Sequence, residues 1–214
     1  RMMFPTKPSF RTGEDRIWEN AYTFSKFSAE YACNLYKEQH DAKIAILRFL
    51  NAVGPRQHTY PVRKVFPVMV VFALNNIDLE VYGDGEQTID IIDVRDIAEI
   101  SVMACRNKKL LNECIVCDVG SGKKITINEL AERIIKITKS KSKIKYLPMR
   151  RGEVKNTNIV ADMSNINSIF PDWKPKYSLD DTICNAVEYY KFIPDREISN
   201  MIKFYGTVLR GDRD

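Results

Sequence analysis

Apolar residues at Phe24, Phe27, Tyr31 and Leu35 fall in three- and four-residue steps, which predicts an amphipathic helix from about residue 17 or 21 to near residue 40. Residues 43–50 form a short apolar run suited to a buried parallel strand, and Gly54-Pro55 then marks a loop. Helix, buried strand and polar loop in that order is the βαβ idiom, which places a ligand at the strand's C-terminal end. Further on, 65–76 reads as a helix and 79–82 as a strand stopped by Gly83-Asp84-Gly85. A second strand over 89–93 leads into a helix over 94–105, and a strand over 114–119 ends at Gly120-Ser121-Gly122. Thr126 and Glu129 have the spacing of a capping box opening a helix to about 139, 143–147 is a strand, and Ser178 caps a helix to about 192. The first twenty residues, with Pro5, Pro8 and Gly13, are expected to form a loop. The last twenty or so, charged and without clear period, are expected to form a partly ordered tail.

Composition narrows the class without choosing within it. A chain of 214 residues and 24.8 kDa can bury a core as one large domain or two small ones. No apolar run approaches the roughly 18 residues of a membrane helix, since 65–74 is short and contains Pro67. The opening residues lack the sustained apolar core of a secretory signal, and five scattered cysteines suit reduced thiols, so a soluble cytoplasmic protein is expected. The net charge of +5 is mild, and the basic stretch 139–145 has only Tyr146 beside it for stacking. Neither a nucleic acid nor a membrane is therefore expected as a partner, while an anionic small molecule remains open. Cys114 and Cys117, three apart on a strand, point to opposite faces, and no second Cys or His pair follows, so no metal site is expected. Neither His40 nor His58 is placed by sequence beside a nucleophile or a carboxylate.

One pair on the first helix carries chemistry. Tyr22 and Lys26 are four apart and share a helix face. A phenol holds its proton to a pKa of about 10, and a nearby ammonium favours the phenolate. Such a pair suits proton exchange with a sugar or alcohol oxygen. The bare spacing is weak, because Tyr60 and Lys64 share it; Pro61 directly after Tyr60 makes that second pair a chance one. The phosphate-cradling Gly-x-Gly-x-x-Gly is absent from these residues.

What raises the first pair above chance is an ordered series of motifs: Tyr22-x-x-x-Lys26, the stretch from Arg48 to Gln57, and the stretch from Val81 to Asp96. Asp118 to Gly122, Arg150-Arg151-Gly152-Glu153, Ala161 to Ser164 and Trp173-Lys174-Pro175 close it. The chain resembles the C-terminal part of an extended short-chain dehydrogenase/reductase of the NAD-dependent nucleotide-sugar epimerase/dehydratase family. The UDP-glucose 4-epimerases and dTDP-glucose 4,6-dehydratases are its kind, and the resemblance runs from about 14 to about 191.

The resemblance implies an α/β fold, a partial Rossmann-type doubly wound parallel sheet plus a smaller α/β substrate-binding domain. Residues 1–60 and 94–122 would belong to the dinucleotide-binding domain, 61–93 and 123–195 to the substrate-binding part, and 196–214 to the tail. It implies NAD as cofactor, with NADP the lesser alternative, a nucleotide-sugar substrate and a homodimer formed through the helix face of Phe27, Tyr31 and Leu35. Tyr22 matches the catalytic tyrosine, Lys26 the lysine that holds the nicotinamide ribose, and Phe49 an aromatic packed near the nicotinamide. Asn51 matches a contact to the sugar-nucleotide phosphates, Tyr82 lies on the strand lining the base pocket, and Arg150 and Glu153 match contacts to the nucleotide's ribose and phosphates. Two departures stand out. Ile89 occupies the place of an arginine that grips the diphosphate, and the family's glycine-rich turn, ribose-binding acid and catalytic Ser/Thr all lie upstream of Tyr22. The motifs serve epimerases and dehydratases alike, and the missing turn leaves a second reading, a non-catalytic remnant acting as a sugar-nucleotide-binding or dimerisation module.

Overall fold

A computed structural model describes residues 21–60, 64–149 and 158–211, the last helix with side chains to Tyr205. The chain order is α1 (Ala21–His40), β1 (Ile46–Phe49), β2 (Ala52–Val53), α2 (Val65–Leu74), β3 (Leu79–Tyr82), β4 (Thr88–Ile89), β5 (Ile92–Asp93) and α3 (Val94–Arg106). There follow α4 (Lys108–Glu113), β6 (Val116–Val119), β7 (Ile125–Thr126), α5 (Ile127–Thr138), β8 (Ile144–Leu147), α6 (Ser164–Ile169), α7 (Leu179–Tyr190) and α8 (Asp195–Gly211).

Among the described residues the strands form four two-stranded sheets. β1 pairs parallel with β6, β2 with β5 and β3 with β8, while β4 and β7 are antiparallel. Each parallel pair is bridged by helical crossovers, as parallel pairing demands. The mixed α/β class expected from the sequence is present.

Two apolar cores follow from this layout. α2 is apolar all round, burying every residue from Phe66 to Ala73, and it forms the centre of one core with β3, α5, α7 and α8. A helix without a polar face must be enclosed on all sides. The second core packs Ile100 and Ala104 of α3 against Cys117 and Val119 of β6, with Ile166, Phe170 and Trp173 closing it. Cys114 and Cys117 are both buried, and burial pushes the Cys117 thiol up to about 11.

The structure departs from expectation at four places. The tail is the helix α8, with Met201 and Tyr205 buried; Ile198, Met201, Ile202 and Tyr205 supply a helical period hidden among charges. The strand expected over 89–93 is two short strands that pair with different partners, because the buried Asp90 turns the chain between them. α4 and α6, six residues each, are too short to show a period. At Thr126 the hydroxyl accepts from Glu129 N, but the Glu129 carboxylate pairs with Arg133; the reciprocal box forms instead between Ser178 and Asp181.

Candidate active site

β1 ends at Phe49, and the turn into β2 presents Asn51 next to the N-terminus of α2. Tyr22 reaches the same place from the first turn of α1. Together with Gln57, Lys64 and Ile89 these side chains line a cleft of about 310 Å³. Tyr22 is 71% exposed, so its phenol is open to a ligand rather than part of a core. The Phe49 ring is also exposed. Asn51 is fixed from one end, its Nδ2 donating to the Asp90 carbonyl at 2.8 Å. Lys26 places its ammonium 5.4 Å from the centre of the Tyr22 ring, a cation–π contact one helical turn away.

The floor of the cleft is held from behind by Asp90. This fully buried carboxylate accepts from Ser121 N (2.8 Å), Ser121 Oγ (2.6 Å), Gly122 N (3.0 Å) and Ala161 N (3.1 Å). It therefore ties the β4–β5 segment, whose Ile89 and Ile91 line the cleft, to the loop after β6. Gly120 permits the approach, since a Cβ there would lie 2.5 Å from Asp90 Oδ2.

Not every expected residue converges. Tyr82 sits on β3, half-buried, with its carbonyl accepting from Gln87 Nε2 at 2.8 Å; it does not line this cleft. Arg150 and Glu153 lie outside the described residues. Ile89, where the family pattern has an arginine, does line the cleft, and so does a cation the sequence reading set aside: Lys64. Gln57 also went unassigned, yet its Oε1 is buried at the cleft without a hydrogen-bond partner among the described residues. A larger cavity of about 930 Å³, between the Gly122 loop, α5 and residues 171–179, is lined by Ile91, Ser121, Ala161, Met163, Lys174 and Pro175 of the motif series but by none of the residues given a catalytic or binding role. Among the described residues no cluster of His, Cys, Asp or Glu could hold a metal ion, and no helix is long and apolar enough to cross a membrane.

Parallel strands joined by helices, with polar side chains gathered at a strand's C-terminal end, define a Rossmann-type α/β protein. The model of the NAD dependent epimerase/dehydratase family matches residues 6–118, just over half of the chain, and the protein belongs to that family. A Methanocaldococcus jannaschii protein described provisionally as a UDP-glucose 4-epimerase is 31% identical over 170 residues, 79% of this chain and 53% of its own length. The UDP-N-acetyl-alpha-D-glucosaminuronate decarboxylase of Bacillus cytotoxicus is 29% identical, covering 90% of this chain and 60% of that one. Among solved structures, the Bacillus cereus UDP-glucuronic acid 4-epimerase in complex with UDP-glucuronic acid and NAD superposes with a TM-score of 0.73 at 27% identity, covering 88% of this chain and 58% of that one. The chain spans about half the length of the curated relatives it matches.

Proposed function

We propose that the protein acts in an NAD-dependent epimerase or dehydratase whose substrate is a nucleotide sugar, with Tyr22 as the acid/base that moves the sugar hydroxyl proton. The observation that carries this reading is the convergence of Tyr22, Phe49 and Asn51 on one cleft from three separate segments. Support also comes from the nucleotide sugars and NAD named for similar structures.

NAD, when bound, accepts hydride from a sugar carbon. The residues present suit its nicotinamide end: an exposed aromatic ring at Phe49 to pack a flat heterocycle, and an ammonium at Lys26 to hold ribose hydroxyls. Tyr22 takes the proton of the hydroxyl on that carbon, with the Lys26 ammonium one helical turn away. Asn51 orients the diphosphate without adding charge. Lys64 supplies a positive charge inside the cleft, a role that Ile89 cannot fill. The outward Tyr31 and Leu35 of α1 are proposed to pair with a second copy.

Tyr22→Phe keeps the ring and removes the acid. Turnover of UDP-sugars with NAD should fall about 10²- to 10⁴-fold, with nucleotide-sugar affinity nearly unchanged. Full turnover in that variant would overturn the assignment. The second reading is a nucleotide-sugar-binding or dimerisation module without catalysis. Native mass spectrometry separates the two, because only the enzyme gains the mass of NAD.

A further inference from the structure

α1 carries Tyr22 and Lys26 yet buries none of its side chains among the described residues. Phe27 and Cys33 are only partly buried, which leaves polar ties a share in holding the helix in place. Glu30, one turn beyond Lys26 and two beyond Tyr22, receives a two-bond fork from Arg48: Nε to Oε1 at 2.8 Å and Nη2 to Oε2 at 2.7 Å. Arg48 stands on β1 directly before Phe49, and its Nη1 lies 3.7 Å from Oδ1 of Asp118, its register partner on β6. The Arg48 and Glu30 side chains are 20% and 19% exposed, so water screens the pair less than it would a surface bridge. The Glu30 hydrogen bond outweighs the cost of burial and raises the Arg48 pKa above its ordinary value. One turn further along, Cys114 Sγ gives Asn34 Oδ1 a weaker contact at 3.6 Å.

We propose that Arg48 is a positioning residue: its fork on Glu30 fixes where α1 lies along β1 and so sets the reach of the Tyr22 hydroxyl into the cleft. The proposal rests on the reading of Tyr22 as the acid/base. A helix rises about 1.5 Å per residue, so the clamp sits about 12 Å from Tyr22 along a stiff rod, and an axial slip at Glu30 is delivered undiminished at the phenol. A misplacement of about 1 Å can cost about 100-fold in rate. The strand that receives the helix also ends in the cleft wall at Phe49, so a single guanidinium registers both sides of the site.

The decisive variant is Glu30→Asp, which keeps the charge and the fork geometry but shortens the arm by about 1.5 Å. Glu30→Gln keeps the length and removes the charge, and Arg48→Lys replaces the fork by a point charge. Each is measured for kcat and KM with UDP-sugar and NAD, for thermal stability, and for hydrogen exchange at the α1 amides. Positioning predicts that Glu30→Asp loses about tenfold or more in kcat while KM and melting temperature stay near wild type. It also predicts that Arg48→Lys and Glu30→Gln speed exchange along α1. If kcat in Glu30→Asp matches wild type, or falls only with the folded fraction, the proposal is overturned. If wild type itself shows no turnover, the enzyme reading fails instead; exchange at α1 then decides the clamp by itself, and unchanged protection in Glu30→Gln overturns it.

Discussion

Asp93 and Asp96 stand three residues apart at the start of α3 and respond to the fold in opposite ways. Asp93 is buried, which alone would raise its pKa, but hydrogen bonds from the Arg95 side chain and backbone and from Thr182 outweigh this and hold it below the ordinary carboxylate value. Arg95 grips it through two bonds, at 2.9 and 2.8 Å, while its guanidinium lies 3.5 Å from the centre of the Tyr177 ring. Burial dominates at Asp96, raising its pKa despite bonds from the Lys176 and Tyr177 amides. The stabilisation from Asp93 is thus complete above the unfolded value near 3.9 and is lost as pH falls through its lower folded value. Asp96 works the other way, favouring the fold on the acid side and losing that contribution as pH rises through its raised value. Asp93→Asn is expected to lower stability at neutral pH by about 1–3 kcal/mol and to flatten the loss of stability below about pH 4. Urea unfolding at pH 7 and pH 3 checks this; a variant with the same acid dependence as wild type refutes it. At this scale, what could be read in advance was what has fixed spacing. Tyr22, Phe49, Asn51 and Gln57 lie within motifs, whereas Lys64, which lies outside them, reaches the cleft from just before α2.

Helices were legible where one face is apolar over ten residues or more, as in α1, α3, α5 and α7, or where the whole segment is apolar, as in α2. Those that escaped notice were short or masked by charge. α8 is the instructive case, since Asp195, Arg196, Glu197 and Lys203 surround the apolar residues that pack it. Its Met201 is almost fully buried in the first core, the Tyr205 ring meets Phe72 edge-on, and the Tyr205 hydroxyl donates to the Thr59 carbonyl. Met201→Ala should therefore cost about 2–5 kcal/mol, the range for truncating a buried methionine. A change under about 0.5 kcal/mol in chemical denaturation would return α8 to the status of a tail. The split of the strand over 89–93 was invisible for a different reason: alternation reads as one strand whether or not a buried carboxylate interrupts its pairing.

At the scale of the whole molecule, α1 is the exposed element. Tyr31, Leu35 and Tyr36 add apolar surface on a helix with no buried residue of its own. Sedimentation analysis at micromolar concentration should give about twice the chain mass, and Tyr31→Glu combined with Leu35→Glu should return a monomer. A monomeric wild type rules out that helix as a self-association face. The pairing of the strands has a further consequence, for the order in which the chain can fold as it is made. Ile46 waits for Val116 and Leu79 for Ile144, and no sheet among the described residues joins neighbouring strands by a tight hairpin. Contacts so distant in sequence are slow to form. A nascent chain therefore emerges with α1, β1 and the wholly apolar α2 uncovered, and the β3–β8 pair cannot close until residue 147 has left the ribosome. Its yield in a cell would be governed by how well that interval is chaperoned.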